Sequence, residues 1–339
     1  ASAGGAARDL AVLYAAAPVT LGDLPETFYR VVTTIFGLLW GSFLNVVIYR
    51  VPRGMSVVRP PSHCPKCNAP VRAWQNVPVL SYVFLRGKTA CCGEKLSIRY
   101  PLVEAIGGAL SLAILELIVL PMPHATTSLE RAGAVYMSSF LLAMGLVATA
   151  FIDLEHMVVL PDPVNIAGAV LGVTTASLRD LAWLDALIGG VVGFGSIWGI
   201  NRLYKLLRGK TGMASGDAVL LGVLGCWFGW QGALFGLMAG AVKGTLFLVV
   251  ARLFGKSEHA EPEAVRAERE EILREIEALP EAEREKAMEE WREVDELADG
   301  VGEGWQQALA FGPFLALAGL ELLLFSPWIH DLVFLWQVD

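Results

Sequence analysis

The chain has 339 residues, 55% of them hydrophobic and 18% charged, with a formal net charge of −8. Its mean hydropathy of +0.53 is too high for a soluble domain and points to a polytopic membrane protein in a lipid bilayer. The overall charge says little about partners, because acids and bases are partitioned along the chain, and no nucleic-acid partner is expected.

Segment 1–27 contains a short apolar stretch at 10–21, interrupted by Pro18 and preceded by little positive charge. That is not the pattern of a secretory signal peptide. Beyond it, apolar runs of roughly 17–25 residues predict membrane spans. They lie near 28–49, 102–120, 134–152, 164–179, 184–204, 217–231, 232–254 and 307–328. The expected fold class is an all-α polytopic membrane protein with about eight transmembrane helices. Two polar segments interrupt the spans. Residues 50–100 hold four of the five cysteines, and 255–306 is dense in charge. The expected organisation is an N-terminal segment at 1–27, a first helix at 28–49 and a Cys-rich domain at 50–100. A membrane core at 101–254, the charged insertion at 255–306 and a last helix with its tail at 307–339 complete it.

Basic residues set the orientation. Segment 50–100 carries Arg50, Arg53, Arg59, Lys66, Arg72, Arg86, Lys88, Lys95 and Arg99 against the single acid Glu94. By the positive-inside rule it is cytoplasmic. Counting spans from it places the clusters around Arg202–Lys210 and Arg252–Lys256 on the same side, with both termini outside.

This topology brings two acids to one membrane depth. The third span leads into "FIDLEH" with Asp153, and the sixth begins at "MASGD" with Asp217, 64 positions further on. Two carboxylates brought together near low dielectric cannot both ionise easily and tend to share one proton. The plainer reading makes Asp153, Glu155 and Asp162 an acidic interfacial loop and Asp217 a helix N-cap. His156 reads as a loop residue, and Cys226, isolated in an apolar span, as a packing residue.

Cys64 and Cys67 form a Cys-x-x-Cys knuckle, and Cys91 and Cys92 follow. Four thiolates in a reducing compartment suit tetrahedral zinc better than disulfides, the alternative being two clusters of free thiols. In 261–300, Ile272, Leu273, Ile276 and Leu279 recur at helical spacing, as do Met288, Trp291, Val294 and Leu297 beyond Pro280. This predicts a charged helical hairpin, either a spacer or an acidic surface that steers basic peptides.

The motifs "GSFLNVVIYRVP" (41–52), "CPKC" (64–67), "IRYPLVE" (98–104), "FIDLEHMVVLPD" (151–162), "GMASGD" (212–217) and "FGPFLALAG" (311–319) occur in this order. Together they resemble the type IV prepilin peptidases, the membrane aspartyl peptidases of bacterial pilus assembly and type II secretion. The resemblance covers nearly the whole chain except about 1–27 and 255–306. It implies that Asp153 and Asp217 are catalytic. The substrates it implies are type IV prepilins or pseudopilins, whose basic leader is cut at the cytoplasmic face of the inner membrane. It also implies N-methylation of the new terminus from S-adenosylmethionine, with Gly87 and Lys88 matching residues tied to that activity. Ala214 stands where the family has a glycine, and Val219 where a lysine often follows. The family pattern has two Cys-x-x-Cys pairs. Here Thr89 falls at one expected ligand position and Cys92 at the other, so Cys91 stands in as fourth ligand, or His63 or water completes the set. Two other classes are an ion-coupled transporter with an acidic cation site and a non-catalytic assembly scaffold. No internal repeat of the transporter kind is visible.

Overall fold

A computed structural model describes residues 19–64, 66–156, 160–209, 213–254 and 310–333, together with parts of 270–291. Seven helices dominate it: α1 (Glu26–Arg50), α2 (Arg99–Ile114), α3 (Leu129–His156), α4 (Asp162–Thr174), α5 (Trp183–Arg208), α6 (Ser215–Leu253) and α7 (Gly312–Val333). A π-helical turn, Leu115–Val119, extends α2. The helices α1, α2 with its extension, α3, α5 and α6 are long and apolar enough to cross a membrane. The chain is an all-helical, multi-pass membrane protein.

The pattern on α1 explains its placement. Phe28, Val31, Ile35, Leu39 and Phe43 form an exposed stripe, while Gly37, Gly41, Leu44, Asn45 and Ile48 face inward. Both sets recur at helical spacing, so one side meets lipid and the other meets protein. Lipid tails are as apolar as leucine, so close van der Waals packing holds such helices together. Accordingly α1 meets α2 where Gly37 lies against Gly107, and α5 meets α6 where Gly189 lies against Gly225.

The central helix is α3. In its apolar window 67% of residues are buried, against 28% for α1 and 22% for α5 and α6. Phe140, Met144 and Ile152 of α3 join Leu221, Leu224 and Trp227 of α6 and Leu315 of α7 in one core. Helix α7 wedges between the other two, with Gly319 touching Leu146 and Leu224.

Helix α6 has 39 residues, about 58 Å at 1.5 Å per residue, nearly twice a bilayer core of about 30 Å. It is two arms. Gly229 takes φ 70° and ψ −175°, a conformation that essentially only glycine adopts. Gly236 then lies against Leu221 and Leu224, which a straight helix would keep about 20 Å away. The chain therefore doubles back at Gly229, slightly before the boundary expected between 231 and 232. At that end Arg179 donates to the carbonyls of Gly172 (2.6 Å) and Trp227 (3.2 Å). It thereby caps the C-terminal end of α4 with a cation and ties it to α6. The fourth span, expected at 164–179, is shorter than that: α4 stops at Thr174 and a 3₁₀ turn, Ala176–Arg179, follows.

Of the charged insertion, the described positions on either side of Pro280 are helical, and the Arg284 amide donates to the Pro280 carbonyl at 3.0 Å. The rest of the expected hairpin, residues 1–18, and the expected start of the last span at 307–309 lie outside the described residues.

Candidate active site

Asp153 lies in the last turn of α3, and Asp217 lies in the first turn of α6. Their exposures are 7% and 4%, and the two carboxylates are close enough to act on each other electrostatically. Both helices run past the boundaries expected for their spans, so both acids are helical. The N-cap of α6 is Ala214, not Asp217. Asp217 is the third helical residue, and its carboxylate lies near the Ala214 backbone N–H, in the first turn, where the helix dipole favours negative charge. Ala214 has φ −66° and ψ 145°, an extended conformation open to any residue, so the missing family glycine costs no backbone strain there.

Asp153 is held from outside its own helix. The Gly312 backbone N–H, at the N-terminus of α7, donates to its carboxylate. A Cβ on residue 312 would stand 2.5 Å from Asp153 Oδ2, so only glycine allows this approach. Asp217 thus sits at the N-terminus of its own helix, and Asp153, at the C-terminal end of α3, faces the N-terminus of α7; free amides and the helix dipole stabilise negative charge at such N-termini. The turn into α6 is pinned by Asn201 of α5, whose side chain accepts from the Met213 N–H at 2.8 Å and donates to its carbonyl at 2.9 Å. Gly312 and Asn201 escape a reading of sequence alone. An asparagine inside an apolar span is a signal that was present. Gly312 is visible only as part of the motif at 311–319, because its contribution is a backbone amide and an absent side chain.

The other acids of the motif stand apart from the pair. Glu155 pairs with Arg99 at the start of α2, and Asp162 is exposed at the first position of α4. His156 is not a loop residue: it ends α3, and its Nε2 lies 3.4 Å from Arg53 Nη1. These contacts join the Cys-rich segment to the end of α3 that carries Asp153.

In the Cys-rich segment the sulfurs of Cys64, Cys67, Cys91 and Cys92 all lie within 4.8 Å of one another. Cys64 to Cys92 is 3.6 Å, Cys67 to Cys91 is 3.3 Å and Cys91 to Cys92 is 3.9 Å. Four thiolates around a tetrahedral zinc, at about 2.3 Å from it, stand about 3.8 Å apart, so the cluster could hold such an ion. Two matching turns build it. In the first, the Cys64 amide donates to the Ala69 carbonyl and the Asn68 amide to Cys64; in the second, Thr89 donates to Glu94 and Gly93 to Thr89. Bridges His63 to Pro70 and Lys88 to Lys95 close the two turns. Thr89 therefore occupies the place of Cys64, and Cys91 that of Lys66. Cys91 reaches the cluster from a different position of the turn, while Thr89 Oγ1 stays 3.3 Å from Cys92 Sγ. His63 turns its Nδ1 toward the Pro61 carbonyl at 3.1 Å and is not in the cluster. Backbone amides of Cys67 and Lys66 pull the Cys64 thiol down to about 6, and the Thr89 hydroxyl and Glu94 amide lower that of Cys92. Trp74, Leu80, Val83 and Phe84 are exposed. Cys226 is buried between Gly190 and the α6 core.

Residues 35–117 match the family described as Bacterial Peptidase A24 N-terminal domain, and residues 140–249 match the Type IV leader peptidase family. A protein of Myxococcus xanthus named prepilin leader peptidase/N-methyltransferase is 32% identical over 343 residues, covering 92% of this chain and 95% of that protein. The chain belongs to the type IV leader peptidase family. Relatives with the same name in Stutzerimonas stutzeri (38% over 242 residues, 63% of this chain, 79% of that protein) and Neisseria gonorrhoeae (35% over 244 residues, 65% and 81%) agree. No solved structure matches the chain significantly. Within the leader peptidase matches, the first covers the Cys-rich segment and the second contains both acids.

Proposed function

We propose that this leader peptidase hydrolyses the leader of type IV prepilins or type II secretion pseudopilins, with Asp153 and Asp217 as the water-activating pair. The observation that carries the reading is the burial of two interacting carboxylates at adjoining helix ends, each with a backbone amide beside it. One carboxylate, ionised, takes a proton from water as the water oxygen attacks the scissile carbonyl carbon. The other, protonated, donates to the carbonyl oxygen. Collapse of the tetrahedral intermediate breaks the C–N bond, and the leaving amine takes a proton from the pair. Titration belongs to the two together.

The basic segment and positive-inside counting support an active end facing the cytoplasm, in the bacterial inner membrane, with both termini outside. A substrate helix in the bilayer would then present its polar leader at the depth of the pair. The four sulfurs would hold zinc, which joins the two turns of a segment with little core of its own. S-adenosylmethionine, when bound, supplies a sulfonium methyl group for the newly freed amine. A transporter reading finds no support in a chain of this family.

Cleavage of a pilin-type precursor by the membrane-embedded chain tests the reading. Asp153→Asn and Asp217→Asn should each lower the rate by about 10²–10⁴-fold, the range for a positioned acid or base, while still inserting and folding. Full cleavage by either single variant rejects the paired mechanism.

A further inference from the structure

Between the C-terminal half of α1, the start of α2 and the Cys-rich segment lies a cavity of about 320 Å³. That is within the usual range for a small-molecule site. Its lining includes neither acid of the pair, nor Gly312, Asn201, Arg99 or Glu155. Three tyrosines, Tyr49, Tyr82 and Tyr100, line it, together with Asn45, Arg50 and Glu104.

The polar groups of this wall are unusual for a helix interface. Glu104 is 8% exposed; its carboxylate accepts the Val79 amide at 2.7 Å and lies near the Ser42 hydroxyl. Among the described residues it has no cationic partner, although a buried carboxylate is costly to leave unpaired. Asn45 is 3% exposed. Its Nδ2 donates to the Tyr100 carbonyl at 3.0 Å, while its Oδ1 has no donor. Arg50, 6% exposed, gives Nη1 to the Ser56 carbonyl and is the one guanidinium or ammonium on the wall. Such a wall suits a ligand with an aromatic group for the tyrosine rings, an ammonium and hydroxyls for Glu104, and a carboxylate for Arg50. A nucleotide polyphosphate is a poor match, because neither a cluster of cations nor a glycine-rich cradle lines the space.

We infer that this cavity binds the adenosyl amino-acid sulfonium that donates the methyl group, with Glu104 and the tyrosines as its recognition residues. The inference rests on the methyl-transfer reading above and adds a site to it. It also separates the two residues that resemblance alone assigns. Neither Gly87 nor Lys88 lines the cavity. Gly87, at φ +68°, backs onto the cavity ring of Tyr82: a Cβ there would stand 2.9 Å from Tyr82 Oη and 3.0 Å from Cζ. Gly87 is thus a positioning residue for Tyr82. Cys64 and Cys91 also line the space, so the metal-holding turns shape one wall.

The test is equilibrium binding of S-adenosylhomocysteine to the full chain, loaded with zinc and held in nanodiscs. Glu104→Gln and Tyr82→Ala should each weaken binding by about tenfold, the cost of a lost charged or stacking contact. Gly87→Ala should weaken it too, and Asp153→Asn should leave it intact. Zinc content and thermal unfolding report whether each variant is folded. A photoreactive adenosyl analogue gives a second readout on the unaltered chain, and its label should map to peptides containing Tyr49 or Tyr82. Binding by wild type that is insensitive to Glu104 and Tyr82, with the label elsewhere, overturns this site and leaves methyl transfer standing. No binding by wild type overturns the methyl-transfer reading itself. A co-purifying ethanolamine phospholipid, released by Glu104→Gln with no nucleoside bound, assigns the cavity to lipid and overturns the proposal.

Discussion

The acid pair draws its carboxylates from helix ends 64 positions apart in sequence, with a third helix supplying the amide that holds one of them. The cysteine cluster takes its sulfurs from two tight turns no more than 28 positions apart. The first site depends on how α3, α6 and α7 pack; the second depends on backbone hydrogen bonds inside each turn. A site made by helix packing fails when any contributing helix is pushed aside by a fraction of an ångström. A site made by local turns can move a ligand from one position to another and keep its shape, as Cys91 and Thr89 show.

The largest expected effect tests the first half of that contrast. Gly312→Ala keeps the backbone amide and adds one methyl group 2.5 Å from Asp153 Oδ2. Asp153 or α7 must shift, and a displacement near 1 Å at a reacting group costs about 10² in rate. The expected result is kcat for precursor cleavage down about 100-fold, KM little changed and thermal stability retained, since alanine favours a helical first turn. A variant with nearly normal kcat would show that Asp153 tolerates misplacement, and the contrast between the two sites would fall.

What was legible in sequence follows the same division. Asp153 and Asp217 could be expected at one membrane depth because basic loops predict which ends of the spans share a side. Hydropathy located the helices within a few residues, since lipid-facing stripes such as Phe28–Phe43 are read directly from the chain. The Cys-x-x-Cys turn was visible because its chemistry is local. Hidden were the features that arise only where helices meet. Gly312 looks like any glycine at a helix start, and Gly229 looks like the other glycines of α6 although it alone reverses the chain. Glu104, read only as part of a motif, becomes conspicuous when its burial without a cation is known. The end of α3 at His156 lies four residues beyond the expected span and α6 begins two residues before it, the scale at which apolar composition stops marking where a helix ends.

The next effect tests the tolerance of the turns. Cys91→Ser removes one sulfur and should weaken zinc retention against a chelator by about tenfold at least, the lower end of what even outer-sphere partners cost. Adding Thr89→Cys to that variant puts a sulfur at the position matching Cys64 and restores a second Cys-x-x-Cys turn. Because both turns share one hydrogen-bond pattern, the double variant should regain the lost affinity. Failure to recover would mean that the turns are not interchangeable, and that the cluster depends on wider packing as the acid pair does.

The smallest effect is a shift along the pH axis. Zinc binds thiolates, so protons compete with it. The Cys64 thiol is pulled down to about 6 by the amides of Cys67 and Lys66. Its thiolate is therefore populated above that pH and lost as pH falls through it, and zinc retention should decline in that direction. Cys92 is lowered first by the Thr89 hydroxyl. Thr89→Val removes this donor while keeping the side chain's shape, so Cys92 should hold its proton more tightly and release should begin at a slightly higher pH. Precursor cleavage near neutral pH should be unchanged, because the hydrogen bonds of Thr89 run to Cys92, Gly93 and Glu94 within its own turn. Zinc content by mass spectrometry across a pH series, with cleavage measured on the same samples, decides the matter. A parallel fall in both would mean that the Arg99–Glu155 and Arg53–His156 contacts transmit the state of the turns to α3, and the two sites would have to be treated as one.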